Sequence, residues 1–202
     1  LIRPLSRRLK KTKIEVGAQN CHHSYDYGAY TGQVNSTMLK NVGAKYIILG
    51  HSENRKEGET NRLIKKKIKT ALAAKLNVIF CIGETIQEKR KGKTFSVLKK
   101  QILDTLERKD NINKIIFAYE PVWSIGTNKI PKISELSKII KFIKNKVKKS
   151  LKKNHPKVLY GGSVNNKNIR LFRSIPDIDG FLIGGASQSS KKFIDIIKNY
   201  YK

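Results

Sequence analysis

Cysteine is scarce in this 202-residue chain: Cys21 and Cys81 are the only two, with neither a CxxC pattern nor a metal-ligand spacing. That scarcity excludes a disulfide scaffold and makes a reducing, cytoplasmic setting the expectation. Long apolar runs are missing too. None approaches the roughly 18 residues that a membrane-spanning helix needs, which excludes an integral helical membrane protein. No signal-peptide pattern is visible. Acidic residues are few, 15 against 43 basic ones, for a formal net charge of +28. Such a charge suits a polyanionic partner. Arginine, whose planar fork serves specific phosphate and base recognition, supplies only nine of the 43, which weakens that reading. The chain opens on Leu1 instead of Met, so the true start is expected upstream.

What is present is a regular alternation. Short, continuous apolar runs with β-branched residues occur at 46–49, 78–82, 115–119, 158–160 and 181–183, and Ile14-Glu15-Val16 at 14–16 is read as a strand with them. Runs of that kind are expected of strands buried on both faces of a parallel sheet. Helical spacing fills the gaps. Ile133, Leu136, Ile139, Ile140, Ile143, Val147 and Leu151 form one stripe, with most neighbouring lysines on the opposite face. Leu63, Ile64, Ile68 and Leu72 repeat the pattern, with Lys65, Lys66, Lys67 and Lys69 expected outward. A further helix is expected over 168–175. Six strands alternating with helices make an α/β fold, read as one domain over 1–202. The lysines then coat solvent faces and are not interleaved with exposed aromatics, so no specific nucleic-acid site is expected.

Function in such folds gathers where strands end. The run Leu49-Gly50-His51-Ser52-Glu53 places an imidazole directly after a buried strand, where a short loop on a rigid scaffold fixes it. Taken alone, His51 could equally be a satisfied polar residue of a helix cap. In Tyr119-Glu120-Pro121-Val122-Trp123, Pro121 disfavours helical geometry at Glu120 and holds the carboxylate at the strand end. Apolar Val122, Trp123 and Ile125 exclude water from it, as a general base requires; the plainer reading is a surface Glu in a turn. Gly161-Gly162-Ser163 and Gly184-Gly185-Ala186-Ser187 end the last two strands. Paired glycines allow close backbone approach, and free N–H groups there can hold a phosphate. Residue types alone thus reach a phosphate-binding α/β enzyme with a Glu base and a His partner, suited to proton abstraction beside a carbonyl. They do not name the substrate.

These clusters resemble the triosephosphate isomerase family. Its signatures stand here as Val16-Gly17-Ala18-Gln19-Asn20, Gly28-Ala29-Tyr30-Thr31-Gly32, Leu49-Gly50-His51-Ser52-Glu53 and Cys81-Ile82-Gly83-Glu84. Ala118-Tyr119-Glu120-Pro121-Val122-Trp123, Tyr160-Gly161-Gly162-Ser163-Val164 and 179–187 follow in the family's order. The resemblance implies a (β/α)8 barrel and the interconversion of dihydroxyacetone phosphate and glyceraldehyde 3-phosphate through an enediolate. It makes Glu120 the base and His51 a neutral electrophile on the carbonyl oxygen. Backbone N–H groups of Gly126, Ser163, Gly184 and Gly185 would receive the phosphate, and Pro121–Lys129 would be a lid. It calls for no metal and no organic cofactor. It also implies a homodimer, with Gly28–Gln33 plugging into the partner subunit.

Set against that family, the chain enters just before the third strand, so an incomplete barrel holding strands three to eight is expected. Without the family's N-terminal Asn and Lys, the 202 residues alone are expected to be nearly inactive. Gln33 and Asn54 stand where the family usually carries Glu and Arg, so a neutral hydrogen bond is expected in place of an ion pair. Asn128 replaces a lid glycine; Asn tolerates positive φ nearly as well. Two other readings remain open on residue types: another phosphate-binding barrel enzyme, or a basic nucleic-acid-binding protein of degenerate barrel origin.

Overall fold

The computed structural model describes residues 1–202, which group into two compact units. The first comprises Leu1–Cys81 and Gln101–Ile116, the second Ile82–Lys100 and Phe117–Lys202.

The first unit opens with helix α1 (Ile2–Arg8) and runs through strand β1 (Gly17–Ala18) and helix α2 (Ser36–Asn41). Strand β2 (Tyr46–Leu49), helices α3 (Ser52–Lys56) and α4 (Asn61–Ala73), and strand β3 (Asn77–Ile82) follow. β1 pairs with β2, and β2 with β3, all parallel and in register Tyr46↔Asn77 to Leu49↔Phe80. The β2 sequence Tyr-Ile-Ile-Leu is bulky and β-branched, and Ile47 and Leu49 are fully buried. Caps fix the helix starts: Asn35 accepts Met38 N–H and Thr60 accepts Leu63 N–H.

The expected strand over 14–16 is not formed. Ile14 is 63% exposed, its N–H turned onto Thr12 Oγ1, and pairing begins only at Gly17. Lys67 also departs from expectation. It is buried, paired with Glu59 and 2.9 Å from Asn20 Oδ1. The reason is positional: residues 64, 67, 68 and 71 are the buried stripe of α4, so Lys67 stands on the apolar face.

In the second unit, helix α5 (Ile86–Arg90) starts with a capping box between Thr85 and Glu88. Helix α6 (Thr94–Thr105) and strand β4 (Ile115–Tyr119) each carry residues assigned to both units, and α7 (Ile133–Leu151) follows in the second. Then come β5 (Val158–Tyr160), β6 (Gly180–Phe181) and α8 (Ser190–Tyr201). β4 pairs with β5 and β5 with β6, again parallel. α7 buries Leu136, Ile139, Ile140, Ile143, Val147 and Leu151, as its sequence stripe requires.

Two expected elements are altered. The last strand is Gly180–Phe181 instead of 181–183, although Leu182 N–H still reaches Tyr160 O. The helix expected over 168–175 is a 3-10 stretch, Ile169–Ser174. Asn165 and Asn168 hold its entry through side-chain bonds to backbone, including Asn168 Nδ2 to Ser163 O at 3.0 Å.

Candidate active site

In the first unit β2 ends at Gly50, whose φ of +74° lies in the left-handed region. Arg55 Nε donates to Gly50 O at 2.8 Å, and its Nη2 reaches Cys81 O at 3.2 Å, so the turn is braced from α3. His51 is the N-cap of α3, and its Nδ1 accepts Glu53 N–H at 3.4 Å. An imidazole nitrogen that accepts carries no hydrogen, so the ring proton of neutral His51 sits on Nε2 and makes that atom a donor. Glu53 itself is largely exposed, with its carboxylate 3.7 Å from Nδ1.

In the second unit Glu120 follows β4 and is 3% exposed. Its N–H donates to Ile82 O at 2.8 Å. Two glycines make room for it. A Cβ on Gly83 would stand 1.8 Å from Glu120 O, and one on Gly161 would stand 2.8 Å from Glu120 Cγ. Gly83 thus lies against the Glu120 backbone carbonyl and Gly161 against its side chain, with Pro121 following in the chain.

Beside it lies a carboxylate that the sequence did not single out. Glu84 is fully buried and accepts Tyr119 Oη at 3.1 Å and Trp123 Nε1 at 2.9 Å. Burial pushes its pKa up, opposed by the hydrogen bonds from Trp123 and Tyr119 and by the charge of Lys89. Lys89 lies over the Trp123 ring at 4.4 Å and pairs with Glu135. The place of Glu84 directly after β3 was the available signal.

The predicted phosphate donors are distributed over three turns of the second unit. Gly126 (φ +69°), Gly184 and Gly185 face open space: a Cβ on any of them would meet no heavy atom within 4 Å. Ser163 is joined to the 121–129 segment. Its Oγ donates to Ser124 O at 2.6 Å and accepts Asn128 N–H at 3.1 Å. Asn128 does adopt positive φ, at +59°. Asn54 accepts from Asn20 Nδ2 at 3.2 Å. Both cysteines are free and buried, and burial pushes the Cys21 thiol up to about 12. No helix is long and apolar enough to cross a membrane.

The family model described as triosephosphate isomerase matches residues 1–200. The chain belongs to the triosephosphate isomerase family. Curated relatives of that name agree. The enzyme of Dictyoglomus thermophilum is 43% identical over 200 residues, spanning 96% of this chain and 80% of the relative. That of Chloroherpeton thalassium is 40% identical over 197 residues, spanning 95% and 78%. The crystal structure of triosephosphate isomerase from Bartonella henselae superposes with a TM-score of 0.91 at 34% identity, covering 100% of this chain and 84% of that one. The fold is the TIM barrel's and the protein is an isomerase of triose phosphates. The nucleic-acid and other-enzyme readings find no support in these comparisons. Nor do they confirm the expectation of an incomplete chain.

Proposed function

We propose that Glu120 is the base of the triosephosphate isomerase reaction in this chain. It takes the proton from the carbon beside the carbonyl and returns it to the neighbouring carbon of the enediolate. His51 acts as a neutral electrophile, its Nε2–H hydrogen-bonded to the substrate's oxygen. Gly126, Ser163, Gly184 and Gly185 present backbone N–H groups to the phosphate, and 121–129 is the lid that excludes water. The observation that carries this reading is the burial of Glu120 at the end of β4, where Gly161 leaves room for its side chain and Gly83 for its backbone carbonyl. Its support at His51 is the Glu53 N–H bond, which leaves Nε2 the donor. A Glu120→Asp variant draws the carboxylate back by one methylene. Turnover then drops by about tenfold or more while KM changes little, since misplacing a base by ~1 Å costs up to about 10²-fold; unchanged turnover argues against the assignment.

The reading extends to a single barrel domain whose six strands are the third to eighth, to a cytoplasmic setting, and to a homodimer. Residues 25–34 are exposed, Tyr25, Tyr27 and Tyr30 among them, as an interface loop requires. A cleft of about 450 Å³ lined by Asn20, Cys21, His22, Gln33 and Val34 opens beside it. Sedimentation of a Tyr30→Asp variant as a monomer, against a dimer of the unaltered chain, is the expected result.

A further inference from the structure

Ser124 lies four residues after Glu120 and is fully buried. A hydroxyl has one hydrogen to give and two lone pairs to receive with. Its Oγ stands 2.5 Å from Lys129 O, which can only accept, so the hydrogen goes there. Ser163 N–H donates to the same oxygen from 3.2 Å. The Tyr160 hydroxyl is 3.1 Å away. With the Ser124 hydrogen committed, Tyr160 is the donor of that bond. Burial pushes Tyr160 up to about 12, so the phenol keeps its hydrogen at neutral pH. One donor and two acceptor sites are all used.

Ser163 closes the circuit, giving its Oγ hydrogen to Ser124 O and accepting from Asn128 N–H. The early and late residues of the 121–129 segment and the Tyr160–Ser163 turn therefore meet at two hydroxyls. Gly162 is required for this: a Cβ there would stand 2.2 Å from Tyr160 Oη and 2.6 Å from Ser124 Oγ.

We propose that Ser124 is a positioning residue for the substrate phosphate, its hydroxyl tying both ends of the lid to the 160–163 turn and holding Ser163 N–H in place before the dianion arrives. The proposal rests on the reading of Gly126, Ser163, Gly184 and Gly185 as phosphate donors. When phosphate binds, Ser163 N–H exchanges one oxygen for another, so no buried donor is left unpaired between turnovers. The bonds to Lys129 and Tyr160 persist and keep the lid ends together, so the ligand meets a site already ordered.

The test compares the unaltered chain with Ser124→Ala, Tyr160→Phe and the double variant, using inorganic phosphate as the probe. Calorimetry gives phosphate affinity. Acrylamide quenching of Trp123, the sole tryptophan, reports the lid without reference to turnover. Ser124→Ala weakens phosphate binding by about tenfold, the scale of one lost hydrogen bond with its ordering, and makes Trp123 more accessible. KM for triose phosphate rises by a similar factor while kcat changes less than about threefold. Tyr160→Phe alone weakens phosphate binding severalfold but adds less than about twofold to Ser124→Ala, because both break the same node. Phosphate affinity within twofold of the unaltered chain in Ser124→Ala, or in Tyr160→Phe should the first fail to fold, overturns the proposal. Gly185→Asp separates the two levels. It puts a carboxylate among the proposed donors, so phosphate binding that survives it intact removes the site reading as well. Loss of binding there with an indifferent Ser124→Ala removes only the role of Ser124.

Discussion

The two units bury carboxylates in different ways. In the first, Glu59 is held by the ammonium of Lys67, and both side chains are less than a tenth exposed. In the second, Glu84 is held chiefly by neutral donors, the Tyr119 hydroxyl and the Trp123 indole, and the Glu120 side chain lies against Gly161. A buried ion pair fixes charge permanently, and each member depends on the other. At Glu84 burial favours the neutral acid, while the hydrogen bonds from Trp123 and Tyr119 favour the carboxylate. The difference separates an acid held by a charge from one held by neutral donors.

The sharpest way to break that comparison is to neutralise one acid in each unit. Glu120→Gln is expected to lower kcat by roughly 10³-fold, within the range of general-base contributions, with the melting temperature little changed. Lys67→Met leaves Glu59 buried without its cation, whose Oε2 already has no hydrogen-bond partner. A loss of about 3–5 kcal/mol in urea-induced unfolding is expected, with kcat unchanged in the protein that remains folded.

Glu84 supplies the middle-sized effect, and its sign is fixed by burial. Its folded pKa lies above the ordinary value of 4.5, so the native state binds the proton more tightly than the unfolded chain. Its contribution to stability is full below pH 4.5 and is lost as pH rises through the raised pKa. Relative to Glu84→Gln, the unaltered chain should therefore lose stability in urea-induced unfolding across that window and level off above it. A stability difference that is flat with pH would contradict a raised pKa at Glu84. The smallest effect lies in the lid: Asn128→Ala, forced to hold φ near +59°, should cost about 1 kcal/mol, read as a fall of a few degrees in the melting temperature.

Much of this was legible in the residues. Continuous β-branched runs located β2, β4 and β5 to the residue because a strand buried on both faces leaves no polar position. The α7 stripe was equally plain. Ile14–Val16 misled because two β-branched residues flanking Glu15 do not reveal whether a neighbouring strand pairs with them; Ile14 is left facing solvent. Lys67 sat visibly on the apolar face of α4, yet only Glu59, eight residues earlier, shows why a lysine can stay there. Glu120 and His51 could be read from strand-end position. Ser124 could not, since its partners Tyr160 and Ser163 lie 36 and 39 residues away.

The central claim is that Glu120 moves the proton. It is tested most directly by incubating dihydroxyacetone phosphate with the unaltered chain and with Glu120→Gln in deuterium oxide, following deuterium at the carbon beside the carbonyl. The account predicts incorporation with the unaltered chain and a rate roughly 10³-fold lower with the variant. Incorporation by Glu120→Gln at the unaltered rate would contradict it.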